Sequence, residues 1–376
     1  MRAFAPVFLW SSLALACAEV PSVGEVPEPT PHVTTDHHDS AQASIGPLIV
    51  VHGGQGSPAA RSDGPVAAAE RGFALLEDDD VEPLPAAIAA IEVLEDDPRF
   101  NAGTGANLRL DARTIEADAA VMDDRERFGA VAGIAGIRHP VRVAEAVIAT
   151  PHLLLAGHGA QAFAETLGLE TRDLTTDRAR RKLARGYARL FAKQGPWAEW
   201  DWRAHWNFAG PPPADLEAAL AMLAEAEAEA GPAETAELDA TRDTVGAVVR
   251  TGAGRYAAAL STGGTTLAIH GRVGDVPILG AGLYAGPFGA VAATGKGEAI
   301  MRERVAAEVY ALLEDGETPN DAIALVMREI SPEEGVGVIA VSELGWGAAA
   351  TSQMAWAVRD RDHRHRADTW IRHRGR

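Results

Sequence analysis

Thr244 stands where a weakly apolar segment, 231–243, gives way to a run of β-favouring residues, Val245–Val249. If the bond between Asp243 and Thr244 were cut, Thr244 would carry a hydroxyl and a free α-amine on one residue. An α-amine has a pKa of about 7.7–8.0, which suits a general base near neutral pH. Threonine with its own N-terminal amine is a self-contained nucleophile and base. A threonine at a strand start is otherwise usually structural, so this interpretation depends on the residues that follow.

Three glycine-punctuated motifs after Thr244 supply the other groups that acyl transfer on a small zwitterion needs. Thr262 offers a second hydroxyl, and Thr294 a third in a glycine-rich turn. Arg272 offers a guanidinium, which can hold a carboxylate through two charge-assisted hydrogen bonds, and Asp275 offers an anion for an ammonium group. Each motif alone would be read as a turn or a surface ion pair, so their order in one chain is what indicates chemistry. The motifs are Ser261–Gly264, Gly271–Asp275 and Ala293–Glu298.

Composition and motif spacing argue against nucleotides and nucleic acids as partners. The formal net charge of −19 would repel nucleic acid and anionic lipid. Lys296 lies in a Thr-Gly-Lys-Gly run, but no serine or threonine follows it as a phosphate loop requires. The glycines after His52 lack the dinucleotide-binding spacing.

The hydrophobic pattern predicts a layered α+β fold with largely antiparallel strand pairing, because strands and helices segregate in blocks. Predicted strands cover 47–51, 108–110, 115–122, 130–137, 245–250, 255–261, 290–293, 336–341 and 354–358, and predicted helices cover 67–77, 85–94, 141–149, 153–167, 178–193, 216–230, 298–313 and 320–330.

The N-terminus is typical of an export signal. Residues 1–17 combine an early arginine with an apolar stretch too short to span a bilayer. The segment ends in Cys17, the only cysteine, in a context that resembles a lipobox; Ala14–Ala16 also satisfies the small-x-small rule for ordinary cleavage. Residues 18–46 are rich in proline and polar groups and are predicted to be a disordered linker. We therefore expect a bacterial periplasmic protein or an outer-membrane lipoprotein, with lipidated Cys17 as a membrane tether in the second case.

The motifs, taken in order, resemble those of the plant-type asparaginase/isoaspartyl peptidase family, N-terminal nucleophile hydrolases that also include glycosylasparaginases. The resemblance covers roughly residues 47–345. It implies an αββα sandwich with two largely antiparallel central sheets flanked by helices. It also implies a single hydrolase domain, 47–376, that cleaves itself by an N→O acyl shift into an α chain ending at Asp243 and a β chain, 244–376, followed by assembly into a homodimer of αβ units. Further matching segments are Val51–Gly54, Phe100–Gly105, Glu116–Asp123 and Gly280–Ala285.

The resemblance also assigns roles to the motif residues. It implies that Thr244 attacks the side-chain carbonyl of a β-aspartyl amide and forms an acyl-enzyme that water resolves. Arg272 would hold the α-carboxylate of the substrate and Asp275 its α-ammonium, with Gly297 beside them. Thr262 would hydrogen-bond the nucleophile or its amine, while Thr294 and the N–H of Gly295 face the oxyanion. His52 and Gly54 would assist processing, Asn101 would shape a loop near the site, and Lys296 would lie at its rim.

No cofactor is required by this chemistry, and no side-chain metal site is predicted. In relatives, however, backbone carbonyls of one loop can hold a structural sodium ion. The corresponding positions are Leu94, Glu95, Asp97, Phe100, Ala102 and Thr104.

The sequence leaves the substrate open. Asp243 before the nucleophile resembles glycosylasparaginases, whereas Ser261–Gly264 and Phe100–Gly105 favour asparaginase/isoaspartyl peptidases, the interpretation we prefer. Lys296 could meet the second carboxylate of a β-aspartyl dipeptide. An alternative of another class is a lipid-anchored binding protein that kept the fold and lost catalysis.

Overall fold

The strand-forming runs of the sequence assemble into two sheets. The computed structural model describes residues 46–78, 80–195, 198–221, 244–362 and 364–366. One of its two sheets has eight strands and the other has four. The first contains β1 (Leu48–Gln55), β2 (Ala117–Asp123), β3 (Phe128–Ile134), β4 (Leu154–Ala156), β5 (Val245–Arg250), β6 (Tyr256–Thr262), β11 (Met354–Asp360) and β12 (Arg364–Arg366). The second contains β7 (Leu283–Gly286), β8 (Gly289–Gly295), β9 (Val336–Ser342) and β10 (Gly345–Ala350).

Strand pairing is antiparallel except between β3 and β4. The larger sheet has the order β12-β11-β1-β5-β6-β2-β3-β4, and the smaller one β10-β9-β8-β7. The described helices are α1 (Asp63–Phe73), α2 (Leu84–Asp96), α3 (Pro140–Val147), α4 (Gly157–Thr166), α5 (Asp177–Phe191), α6 (Leu216–Ala221), α7 (Gly297–Glu303), α8 (Val305–Glu314) and α9 (Pro319–Glu329). The predicted largely antiparallel pairing is confirmed.

Alternation along the strands separates the core into layers. Ile49 and Val51 of β1 pack with α1 and α2, whereas Leu48 and Val50 face the smaller sheet. In β8, Ala292 faces the larger sheet, while its neighbours pack under α8 and α9. Successive side chains of a strand point to opposite faces, so each sheet buries one face on its partner and the other on helices. This arrangement confirms the predicted αββα layers.

Three predicted elements are wrong in detail. Residues 108–110 do not form a strand: the N–H of Arg109 bonds the carbonyl of Thr114 at 2.8 Å, and the N–H of Leu110 bonds Ala268 at 3.0 Å. The predicted helix 153–167 begins with strand β4, and helix α4 starts only at Gly157. The predicted helix 298–313 is two helices, because Arg304 takes the left-handed conformation with φ of 50°.

The predicted leader, 1–17, the linker, 18–46 apart from Gly46, and the segment 231–243 lie outside the described residues. Within the described ranges, no helix has the length and apolar character needed to cross a bilayer.

The topology brings several strand ends together. Strand β5 lies between β1 and β6, so its first residues have neighbours on both sides. His52 of β1 pairs with Gly246, and Val245 pairs with Ser261 of β6. Thr244, just before β5, is therefore held close to the ends of both neighbouring strands.

Candidate active site

Thr244 lies at the centre of a cluster of three buried threonines. Its side chain is buried, and its hydroxyl donates to the hydroxyl of Thr262 at 3.4 Å. Its backbone nitrogen, a peptide nitrogen in the intact chain, lies 3.2 Å from the Oγ1 of Thr294. The structure thus brings together the three hydroxyls that the sequence predicted.

Thr294 joins the two sheets at this point. Its Oγ1 accepts from the backbone N–H groups of Thr244 and Gln55, both at 3.2 Å, and lies 3.3 Å from the carbonyl oxygen of Thr244. Gly295 follows with φ of 131°, and a Cβ there would lie 2.0 Å from the carbonyl oxygen of Gly335. Only glycine fits this bend, which sets the direction of the chain directly after Thr294.

The turn after β6 holds the Thr262 hydroxyl in place. That oxygen accepts from the N–H of Gly264 at 3.2 Å and from Nδ2 of Asn101 at 3.4 Å. Asn101 also donates to the carbonyl of Gly264 at 2.8 Å and accepts from the N–H of Asn107 at 2.9 Å. Asn101 therefore contacts both ends of the Thr262–Gly264 turn and ties it to Asn107.

His52 lies beside Thr244 but is neutral. Its ring packs on Gly246, where an added Cβ would be 2.3 Å from Nε2. Burial lowers the pKa of His52 to about 3, and a backbone contact with Thr244 opposes this only in part. A neutral imidazole can orient a neighbouring group but carries no charge. Gly54 lies two residues on, in β1, and Asp243, also predicted to take part in processing, is outside the described residues.

Arg272, Asp275 and Gly297 form a second group. A Cβ on Gly297 would lie 2.8 Å from Oδ1 of Asp275 and 2.9 Å from Nη2 of Arg272, so the glycine leaves room for both side chains. The Arg272 guanidinium donates through Nε and Nη2 to Oε1 of Glu298, at 3.1 and 2.9 Å. This cation already binds one carboxylate.

Asp275 is a buried acid poised near neutral pH. Burial raises the pKa of Asp275 to about 7, while Arg272 acts in the opposite direction and the acids Asp118 and Glu298 add to the rise. Its Oδ2 has no hydrogen-bond partner among the described residues. An ammonium ion is the kind of group that would satisfy such an oxygen.

Asp118 connects the two groups. It pairs with Thr262 in the β2–β6 register, and its Oδ2 lies 3.5 Å from the N–H of Gly274. The loop carrying Arg272 and Asp275 is therefore attached to the strand position next to the threonine cluster.

The hydroxyl cluster and the Arg272–Asp275 group both lie within the part of the chain that matches a known family. Residues 45–368 match the family model described as asparaginase. The chain belongs to the asparaginase family. Its two sheets between helices fit the fold expected of this family.

Named relatives of this asparaginase-family chain come from animals, plants and archaea. The isoaspartyl peptidase/L-asparaginase of Danio rerio is 34% identical over 334 residues, covering 85% of this chain and 94% of the relative. The probable isoaspartyl peptidase/L-asparaginase 2 of Arabidopsis thaliana is 36% identical over 262 residues, covering 68% and 75%. The plant-type L-asparaginase of Pyrococcus abyssi is 34% identical over 268 residues, with the same coverage.

In this member of the asparaginase family, Lys296 is already paired. Its Nζ lies 2.5 Å from Oε2 of Glu334, which also binds Arg302 at 3.3 Å. Lys296 immediately precedes α7 and is partly exposed. It lies two residues from Thr294 in sequence, with its charge directed to Glu334.

The loop predicted to hold sodium folds back on itself. A Cβ on Gly103 would meet the carbonyl oxygens of Glu95 and Arg138 at 2.4 and 2.8 Å. These oxygens converge on the backbone between Ala102 and Thr104, two of the predicted ligand positions.

Several residues at the site were missed by sequence reasoning: Gln55, Asn107, Arg109, Glu116, Asp118 and Glu298. Most are polar residues that the sequence places among apolar neighbours, and five of them are buried. A polar side chain at a core position usually has a hydrogen-bonding role, and that signal could have found them.

Proposed function

We propose that this chain is a self-processing amidohydrolase that cleaves the side-chain amide of L-asparagine and of β-aspartyl dipeptides. The cluster of Thr244, Thr262 and Thr294 carries the proposal. It places the hydroxyls of Thr262 and Thr294 beside Thr244, which would become a nucleophile once cleavage frees its backbone nitrogen. The names of the relatives, isoaspartyl peptidase and L-asparaginase, support the same substrates.

Processing would cut the bond between Asp243 and Thr244. The Thr244 hydroxyl attacks the carbonyl carbon of Asp243, the C–N bond breaks as the nitrogen takes the hydroxyl proton, and the acyl group moves to oxygen as an ester. Water then cleaves the ester and leaves Asp243 with a carboxylate and Thr244 with a free amine. His52 and Gly54 would support this step as neutral neighbours of the nucleophile.

In the mature enzyme the amine of Thr244 takes the proton of its own hydroxyl. The oxygen attacks the side-chain carbonyl of the substrate, and the negative charge that develops faces Thr294 and the N–H of Gly295. The leaving amine takes the proton as its C–N bond breaks, and water resolves the ester to aspartate. Thr262 holds the nucleophilic hydroxyl, to which it already bonds at 3.4 Å.

Substrate binding would use the second group. Arg272 holds the α-carboxylate, which has to share or replace the Glu298 carboxylate now bound there. Asp275 receives the α-ammonium through its buried Oδ2, which has no hydrogen-bond partner among the described residues. Gly297 leaves the space in which the two ends of the zwitterion lie side by side.

Substrate affinity should depend on pH through Asp275. Because the pKa of this acid is raised to about 7, it is protonated below that pH and cannot pair with an ammonium ion. We expect the KM for asparagine to rise by up to about tenfold per unit as pH falls from 7 to 5, and to level off just above 7. Steady-state kinetics across this range checks it. Asp275→Asn should raise KM and remove the pH dependence; a wild-type KM that stays flat would contradict the role.

Three substrates assayed side by side test the proposed function. The purified protein should form two chains, the smaller beginning at Thr244, and should release ammonia from asparagine and an amino acid from β-aspartyl dipeptides. Hydrolysis of an N-glycosylated asparagine in preference to both would favour the alternative, glycosylasparaginase. A lasting single chain without hydrolysis would favour an inert binding protein.

Lys296 should influence which amide is preferred. The second carboxylate of a β-aspartyl dipeptide would compete with Glu334 for its ammonium group. We expect Lys296→Thr to lower kcat/KM for dipeptides by about twofold to fivefold relative to asparagine, the effect of one partly exposed charge pair. The ratio of the two kcat/KM values measures this effect. An unchanged ratio would show that Lys296 does not contact the dipeptide. Arg302→Thr, which also contacts Glu334, is the matched control.

The remaining proposals concern the surroundings of the enzyme. A sodium ion would be held by the carbonyls around Glu95 and Thr104, and thermal stability that is higher in sodium than in choline chloride would support it. We also propose export, with lipidated Cys17 as tether, and a homodimer of αβ units. Intact mass of the membrane fraction and light scattering of the processed protein test these two.

A further inference from the structure

Arg109 is the largest fully buried side chain among the described residues, and the proposed chemistry does not use it. It lies in the loop before β2, between the buried residues Leu108 and Leu110. A buried guanidinium is costly unless charges and hydrogen bonds compensate it. Its contacts therefore indicate what it holds in place.

One side of Arg109 holds the loop that carries Arg272. Its Nη2 donates to the carbonyl oxygens of Arg272 at 3.2 Å and Glu116 at 3.0 Å. Its Nε lies 3.1 Å from the Glu116 carboxylate, which accepts from the N–H of Gly271 at 2.9 Å. Two consecutive residues of this loop are thus attached to the Arg109–Glu116 pair.

The other side of Arg109 contacts the turn that holds Thr262. A Cβ on Gly264 would lie 2.6 Å from Nη1 and 3.0 Å from the guanidinium carbon, so the turn packs directly against it. The N–H of Gly264 is the same group that donates to the Thr262 hydroxyl. One rigid side chain therefore contacts both the turn beside the nucleophile and the loop of the substrate-binding cation.

The planar guanidinium suits this position better than an ammonium would. It offers donors in fixed directions and a flat face, whereas lysine offers a point charge on a flexible stem. A lysine at 109 could keep one donor atom near the two carbonyls, but it has no second nitrogen to face Glu116 and no flat face to pack on the Gly264 turn.

We propose that Arg109 is a positioning residue that fixes Arg272 relative to Thr262 and thereby sets the affinity for the substrate α-carboxylate. This inference rests on the proposed role of Arg272 in substrate binding. It predicts that altering Arg109 weakens substrate binding more than it slows the chemical step.

Arg109→Lys is the direct test, with Arg250→Lys as the matched control. Arg250 is also buried and donates to backbone carbonyls, at 3.1 Å to Gly46 and 2.6 Å to Ser342, but at the opposite end of β5 from Thr244. We expect Arg109→Lys to raise the KM for asparagine about tenfold or more, with kcat within about threefold and processing intact. Arg250→Lys should lower the melting temperature and leave KM unchanged.

Glu116→Gln gives a second test if Arg109→Lys does not fold. Glutamine keeps an acceptor for Gly271 and removes the charge beside Arg109, so KM should rise in the same direction. Calorimetric binding of L-aspartate, which has the same α-carboxylate, should weaken by the same factor even if the wild-type protein proves not to hydrolyse asparagine. KM and aspartate affinity within threefold of wild type in the folded variants would overturn the proposal.

Discussion

A Thr244→Ala variant will accumulate as one uncleaved chain and will show no measurable hydrolysis of asparagine. The substitution removes the oxygen that would attack both the Asp243 carbonyl and the substrate. Removing the nucleophile of a hydrolase costs about 10⁴-fold or more in kcat. A denaturing gel and an ammonia-release assay at high enzyme concentration measure both effects.

Two further variants separate chemistry from folding. Thr244→Ser keeps a hydroxyl and an amine, so it should still be cleaved, although more slowly, because serine lacks the β-methyl that restricts χ1. Thr251→Ala removes another buried threonine, at the far end of β5, whose Oγ1 accepts from the N–H of Arg255 at 3.1 Å. It should be processed normally. Cleavage of Thr244→Ala at the same bond would refute the assignment.

Thr294→Val will lower kcat by about 10²–10³-fold, the loss expected for one preorganised oxyanion donor. Valine matches threonine in shape but cannot hydrogen-bond. It also leaves the buried N–H of Gln55, and before cleavage that of Thr244, without an acceptor, at a cost of about 1–3 kcal/mol each. We therefore expect a lower melting temperature as well.

The kinetic effect is the one that distinguishes a catalytic hydroxyl from a structural one. Thr251→Val is the control, because it loses a backbone acceptor of the same kind roughly 20 Å away along β5. Both variants should melt earlier, but only Thr294→Val should lose kcat on processed enzyme. A kcat for Thr294→Val within threefold of wild type would show that its hydroxyl serves folding alone.

The sequence predicted β5 at its observed bounds, because Val245–Arg250 is a short β-favouring run between turn signals. The threonine cluster was also predictable, since its members stand in ordered motifs. The partners of the charged groups were not predictable. Glu298 binds Arg272 and Glu334 binds Lys296 only because the fold brings separate segments together, and no local pattern encodes such pairs.

The misassigned strand at 108–110 shows why local pattern misled. Leu108 and Leu110 alternate with a charged residue as in a half-buried strand. In the structure both leucines are buried, and Arg109 is buried as well. The alternating pattern predicts that Arg109 faces solvent. In the fold, the two leucines pack with α5, and Arg109 contacts the loop that carries Arg272.

Cleavage before β5 would leave the larger sheet shared between two polypeptides. The α chain would supply β1 to β4 and the β chain β5, β6, β11 and β12, and in the sheet β1 lies between β11 and β5. Each fragment then completes the other's hydrogen-bond ladder, so the halves could separate only by unfolding. Refolding of the mature protein would become a second-order reaction that slows on dilution, whereas uncleaved Thr244→Ala would refold at a rate independent of concentration.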